Sequence, residues 1–492
     1  MAPGDPDILN DAAAISQRAG HLPAAAVWLQ RAIACAPDKP ALQHNLTVLH
    51  RMSGNLPAAL ASARDARAQS PTDAEAAFQL ATTLARLGKF NEAAGLFREV
   101  VAALPEWFAA VTGLGSALQA EGDPIGAASV YRHYLARKPG HGAGWNNLGN
   151  ALLNAVDPYA ALAAFDVAVA ADPDCAEIRY NRGLARLSVG DLAGGWEDHA
   201  SRWQMASPPT PRQPFQNHLP RWDGEPLNGR HLLLHAEEGL GDTLQFMRFA
   251  AAAKQQGGPG RVTLLVQTPL RRLCALLVAQ GAVDAVIDPT DAVPDADLCL
   301  PLMSLPKILA VSLSELANPV PYLDIPRRRP GGSRRRIGLV WAGNPLHPND
   351  ARRSMPTALL ADLTDGIDAD FISLQVGPAA AEHLSPSIAT YATPRDFLDT
   401  AERVAGLDLL ISVDTSVAHL AGAMGCPVWL MVPYVADWRW MNWRCDSPWY
   451  PTMRLFRQPQ AGDWPGVCRA VRRALSDGNE RQRAQAVLLG DP

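Results

Sequence analysis

Over the first 205 residues the apolar positions recur with a step of 34. Ala25, Ala59, Ala93, Ala127 and Ala161 form one register, and Leu29, Ala63, Phe97, Tyr131 and Phe165 form a second, four residues later. Ala12, Leu46, Leu80, Leu114 and Leu148 form a third, and Pro37, Pro71, Pro105, Pro139 and Pro173 close each period. Residues four apart share one face of an α-helix. Each period therefore predicts two antiparallel amphipathic helices. The small alanine lets them approach closely, and the larger residue four positions on fills the space between neighbouring units. Proline ends the second helix because it cannot extend the hydrogen-bond ladder.

The unit at 145–173 is the fullest, with Trp145, Leu148, Gly149, Ala161, Phe165, Ala168 and Pro173 all in place. A sixth begins near Ala176 and keeps Gly183. It then places Gly195, His199 and Arg202 where Ala, an aromatic and Ala are expected. Such a departure predicts a terminal cap docked on the next domain. Period and pattern resemble the tetratricopeptide repeat (TPR). That resemblance implies an α-solenoid over residues 1–205. Its concave face holds an extended peptide or helix, or else serves as a dimerisation or scaffold surface.

The periodicity then changes. Residues 206–230 hold Pro208, Pro209, Pro211, Pro214, Pro220 and Pro226, with Phe215, Leu219 and Trp222 among them, which predicts an ordered connector. Short apolar runs at 231–236, 262–266, 337–341, 371–375, 407–413 and 428–432 alternate with helical stretches such as 243–254 and 269–280. That alternation predicts βαβ units and parallel sheets. Residues 327–336, Arg-Arg-Arg-Pro-Gly-Gly-Ser-Arg-Arg-Arg, read as a solvated linker between two lobes, 231–330 and 331–492.

Composition narrows the function. A net charge of −5 over 492 residues gives no reason to expect nucleic acid or an anionic membrane as partner. No run of eighteen apolar residues predicts a membrane span, and the acidic start lacks the pattern of a secretory signal. Seven scattered cysteines without a CxxC pair fit free thiols in a reducing cytoplasm.

Four stretches carry candidate chemistry. In 408–427 a buried strand runs into a helix with Asp414, Thr415 and Ser416 at its start, and His419 one turn on. Free N–H groups and the positive dipole end there suit a diphosphate, with Asp414 accepting from sugar hydroxyls. Equally, Asp414 or Thr415 is a plain N-cap and His419 a core histidine. In 237–248, Glu-Glu-Gly-Leu-Gly-Asp follows the first strand, and its glycines let backbone approach a ligand. A dinucleotide fingerprint would need a third glycine where Leu244 stands. The third stretch, 340–354, offers Asn344, Arg352 and Arg353, with Arg353 favoured on a leaving diphosphate, or else a solvent-facing pair. The fourth is Trp-rich, at 437–443 and 447–457, either stacking on a ligand or packing as a loop over a cleft.

Two facing parallel-sheet lobes are the layout of a GT-B glycosyltransferase. Asp414, Thr415, His419, Gly425 and Pro427 resemble the nucleotide-sugar motif of heptosyltransferase-like enzymes and TPR-linked bacterial glycosyltransferases, with Ser416 where the former prefer glycine. The ending Asp437-Trp-Arg-Trp with Ser447-Pro-Trp-Tyr-Pro451 is similar to the TPR-linked group in particular. The resemblance implies Asp242 as general base, with Glu237 and Glu238 in reserve. It also implies Gly241, Gln245, Asn344, Arg353, Asp414, Thr415, Ser416 and His419 at the substrates. It further implies a nucleotide-sugar donor and a protein acceptor with Ser or Thr hydroxyls (flagellin-like in related enzymes); one base and one direct displacement predict inversion at the anomeric carbon, and with no H-E-x-x-H motif and no Walker loop neither metal nor cofactor is expected. The alternatives are an adaptor with silent lobes and a transferase acting on a glycan.

Overall fold

The computed structural model describes residues 4–316, 320–327, 334–382 and 385–477. The chain divides into two compact units at Ile178 and Arg179.

The first unit holds five helix pairs: Pro6–Arg18 with Leu22–Cys35, Pro40–Met52 with Leu56–Gln69, Ala74–Arg86 with Phe90–Ala103, Phe108–Ala120 with Pro124–Leu135, and Gly142–Asn154 with Pro158–Ala171. All five alanines of the first register are fully enclosed. Each periodic proline lies just beyond a helix end. Side chains of Asn55, Asp123 and Asp157 cap second helices by accepting the N–H three residues on. The large residues do two jobs where one was expected. Phe97 lies against Gly113 of the next pair, whereas Tyr131 and Phe165 lie over Gly115 and Gly149 of their own pairs.

The turn inside each pair follows the same step of 34. Gly20, Gly54, Gly88 and Gly122 all have positive φ, between 73° and 82°, a conformation that only glycine adopts freely. In the fifth pair that place is taken by Val156, at φ 59°.

The second unit opens with the rest of the sixth pair, Ala176–Ser188 and Leu192–His199. Gly183 lets the two helices close: a methyl there would meet the His199 backbone nitrogen at 2.7 Å. The first sheet consists of β1 (His231–His235), β2 (Arg261–Leu265), β3 (Ala285–Ile287) and β4 (Leu298–Pro301), ordered β3-β2-β1-β4 and all parallel. The second sheet consists of β5 (Arg335–Val340), β6 (Ala369–Ser373), β7 (Ile388–Ala389), β8 (Leu409–Val413), β9 (Val428–Val432) and β10 (Met453–Arg457). Its order is β10-β9-β8-β5-β6-β7, again all parallel. The unit is therefore α/β.

One apolar core joins these parts. Leu187, Leu192 and Trp196 of the sixth pair are buried together with Leu232, Leu234, Phe246 and Leu420. The connector is ordered: Trp222 is fully enclosed, and Pro220 and Trp222 exchange backbone hydrogen bonds with Cys299 of β4.

Three expectations need correction. The helix expected over 243–254 is two helices, Leu240–Phe246 and Ala250–Gly257, joined by a 3-10 turn. At that turn the buried Arg248 donates to the carbonyls of Leu316 and Trp449 at 2.6 and 2.8 Å. Arg335 and Arg336, assigned to the linker, begin β5, while 328–333 lie outside the described residues. Strands β3, β4, β7 and β10 were not expected. They are the four sheet edges, shorter or more polar than the central strands.

A β-branched residue in the left-handed region is strained by roughly 1–2 kcal/mol, partly offset by the chain entropy that glycine loses on folding. Val156→Gly is expected to stabilise the repeat unit by about 0.5–1 kcal/mol. Denaturant unfolding checks this, and a lower midpoint for the variant contradicts it.

Candidate functional site

The carboxyl end of β1 leads through residues 236–239 into the helix Leu240–Phe246. The carboxyl end of β8 leads through Asp414 and Thr415 into the helix Ser416–Ala423. These two strand-to-helix turns, one from each sheet, face each other. A methyl group on Gly241 would stand 2.9 Å from His419 Cδ2 and 3.7 Å from the Ser416 Cα. Glycine is needed at 241 for this approach, since His419 is itself wedged between Trp440 and Tyr450.

Arg439, buried in the loop after β9, ties the two sides together. Its Nε donates to Gln245 Oε1 at 2.6 Å, its Nη1 to Asp437 Oδ1 at 2.8 Å, and its Nη2 to Asp242 Oδ1. Asp242 Oδ2 accepts from the Gly239 N–H at 2.8 Å, capping its own helix. Both oxygens of Asp242 are thus engaged. The guanidinium also lies over the Trp438 ring, 4.5 Å from its centroid.

Two carboxyls here bind protons unusually well. Burial, and then the charge of Asp242, push Glu238 up to about 7, against the pull of Arg439. Burial, and then Asp437, push Asp414 up to about 6. The Glu238 carboxylate makes no hydrogen bond within the described residues.

The helix start after β8 is open. Thr415 occupies the N-cap position, but its hydroxyl turns to Ser412 Oγ at 3.0 Å and makes no cap bond. The Ser416 and Val417 N–H groups are left without a partner inside the helix. Arg353 stands nearby: its charge pulls Asp414 down, and its guanidinium lies across Gly343, where a methyl would meet Nη2 at 2.6 Å. It also pairs with Asp350 at 3.3 Å. Arg352 and Asn344 are exposed, and the Asn344 side chain accepts from the Leu346 N–H.

The structure therefore brings Gly241, Asp242, Arg353, Asp414, Thr415 and Ser416 to one place. Gln245 and His419 lie behind it. Gln245 is fully enclosed and positions Arg439. His419 is 5% exposed, its Nδ1 is 2.9 Å from the Tyr450 hydroxyl, and burial holds its pKa well below the usual value, so it is neutral. The Trp-rich stretch packs as a loop, with Trp440, Trp449 and Tyr450 fully enclosed. Sequence reasoning passed over Asp437 and Arg439. The one available signal was a charged residue between two tryptophans in Asp437-Trp-Arg-Trp.

Residues 50–118 match one family described as tetratricopeptide repeat, and residues 112–174 and 157–209 match a second of the same description. The N-terminal unit is built of tetratricopeptide repeats. The protein FlbA of Caulobacter vibrioides is 27% identical over 341 residues, covering 62% of this chain and 56% of FlbA. The chain thus spans just over half the length of that relative. A TPR protein from Parabacteroides merdae is 16% identical, covering 42% of this chain and 80% of its own, with a TM-score of 0.36. TTC0263, a TPR protein of Thermus thermophilus, is 17% identical, covering 37% of this chain and 99% of its own, with a TM-score of 0.31.

Two outcomes follow from this geometry. Gly241→Ala forces a methyl against the fixed His419 ring and is expected to cost about 1–3 kcal/mol in an unfolding titration; a neutral result contradicts the close approach. The folded state binds the Asp414 proton more tightly than the unfolded state, whose value is near 3.8. The stability this adds is complete below pH 4 and lost as pH rises through about 6. Asp414→Asn lacks that loss, so the variant gains on the wild type between pH 4 and 7 in paired melts. A constant difference across that range contradicts the burial of this carboxyl.

Proposed function

We propose that this chain is a GT-B glycosyltransferase that moves a sugar from a nucleotide-sugar donor to a hydroxyl acceptor, a Ser or Thr of a protein held by the TPR unit. The observation that carries this reading is the meeting of two strand-to-helix turns from separate parallel sheets. It brings the uncapped helix start after β8 against the turn that carries Asp242 and Glu238, and the Glu238 carboxyl titrates near neutrality. Ligands of parallel α/β sheets sit beyond the carboxyl ends of the strands.

In this reading the donor diphosphate rests on the Ser416 and Val417 N–H groups, with Arg353 as counter-charge. Asp414 orients sugar hydroxyls. The acceptor oxygen attacks the anomeric carbon as the bond from that carbon to the phosphate oxygen breaks, so the configuration inverts. The acceptor proton passes to a carboxylate. Asp242 has both oxygens occupied, and Glu238 beside it is free and titrates near 7, so Glu238 takes the proton while Asp242 keeps its affinity for it high. The diphosphate leaves with its charge on Arg353 and the helix start. Repeats that hold an acceptor protein, and a cytoplasmic setting, accord with this chemistry.

One observation favours a second reading. Asp242 and Arg439 neutralise each other where the two turns meet, as they would in a silent domain serving a TPR adaptor. Thermal shift separates the two. UDP, GDP, CMP or ADP, or one of their sugars, is expected to raise the melting temperature by a few degrees at saturation. No shift with any of them leaves the adaptor. With a donor in hand, Glu238→Gln is expected to lower transfer at least about a hundredfold with little change in nucleotide binding, and wild-type transfer rises through pH 7. If Asp242→Asn abolishes transfer and Glu238→Gln does not, Asp242 is the base. A glycan acceptor is distinguished by removing residues up to 175, which keeps the sixth helix pair and its core residues. Loss of transfer then points to a protein acceptor, and retention to a glycan.

A further inference from the structure

The sixth helix pair breaks its repeat pattern at three positions, and all three have structural work. Gly195 lies where a methyl would meet Leu187 Cδ2 at 2.7 Å, so the second helix sits close upon the first. His199 replaces the aromatic residue and Arg202 the last small one. The His199 ring packs on Tyr180 and Trp196 of its own pair, and Arg202 faces the turn after β1.

Arg202 is 3% exposed and forks onto Glu237, its Nη2 2.8 Å from Oε1 and its Nε 3.2 Å from Oε2. The Glu237 side chain is equally enclosed, at 2%. Ser304 Oγ accepts from the same Nη2 at 2.9 Å. His199 completes the set, accepting from Nη1 through its Nδ1 at 3.0 Å and its carbonyl at 3.1 Å. Arginine only donates, so Nδ1 must be the acceptor. That agrees with a ring kept neutral by burial and then by Arg202 itself. A buried guanidinium with a bidentate carboxylate and three further acceptors is a fixed device. The residue it fixes is the immediate neighbour of Glu238.

We infer that Arg202 is a positioning residue of the candidate site: by clamping Glu237 it sets the orientation of Glu238, so the last repeat supplies part of that site. This rests on the proposal that Glu238 takes a proton during transfer. The charged groups facing Glu238 are Glu237 and Asp242, which favour its protonated form, and Arg202 and Arg439, which favour the ionised one; the Tyr180 phenol, kept neutral by burial, lies beside it. Tyr180 belongs to the same helix pair. No hydrogen bond engages its hydroxyl among the described residues.

Two variants of the full chain separate charge from geometry. Glu237→Gln keeps an oxygen for the fork and removes an anion beside Glu238, so the Glu238 midpoint moves to lower pH by about half a unit or more. Arg202→Lys keeps the charge and loses the fork, so the midpoint holds while the maximal rate of transfer falls about tenfold or more. The midpoint is read by carboxyl 13C NMR on protein labelled at glutamate side chains. The Glu238 signal is identified by its disappearance in Glu238→Gln. An unmoved midpoint in Glu237→Gln overturns the inference, as does full-rate transfer by Arg202→Lys. The NMR midpoint needs no turnover. A shifted midpoint in a protein that transfers nothing therefore sinks the transferase proposal while upholding the control of Glu238 by the clamp.

Discussion

A guanidinium withdrawn from water must be met by charge and hydrogen bonds, because its desolvation costs several kcal/mol. Arg439 is 7% exposed, and its partners come from both sides of the α/β unit: Asp242 and Gln245 from the helix after β1, and Asp437 from the loop after β9. That set forms only if the carboxyl ends of the two sheets face each other. The absence of a side chain at Gly241, the wedged His419 ring and the packing of the Trp-rich loop all serve the same juxtaposition. Acidic groups crowd there as a consequence. Glu238 and Asp414, short of solvent and near other carboxylates, hold protons toward neutral pH.

The last repeat, most of which belongs to the second unit, borders these groups. A repeat keeps its pattern while its neighbour is another repeat. Where the neighbour becomes a sheet, the positions that fill the interface change character. His199 and Arg202 exchange apolar contacts for a hydrogen-bonded set around Glu237, while Leu187, Leu192 and Trp196 continue the apolar core into the sheet. The compact unit accordingly begins at Arg179, inside the sixth pair.

What was legible in the sequence follows from how local each signal is. The five repeats announce themselves because each alanine and proline answers to the same local geometry. Even the strained Val156 is visible once the glycines at 20, 54, 88 and 122 are aligned. The central strands were legible as runs buried on both faces, such as Leu232, Leu233 and Leu234. The edges were not, because strands such as Ala285–Ile287 and Ile388–Ala389 pair on one side and are too short to show a pattern. The turns bearing Asp242 and Asp414 could be found from glycine and strand-to-helix signals. Their ties could not. Arg439 meets Asp242 from 197 positions away, and Arg202 meets Glu237 from 35, and only the fold brings such pairs together.

In the proposed reaction the open helix start after β8 receives an anionic leaving group. A crystal structure of the chain with a nucleoside diphosphate tests it most directly. The terminal phosphate is expected within hydrogen-bond distance of the Ser416 and Val417 nitrogens, with Arg353 turned onto it. A diphosphate seated elsewhere, with those nitrogens facing only solvent, contradicts it.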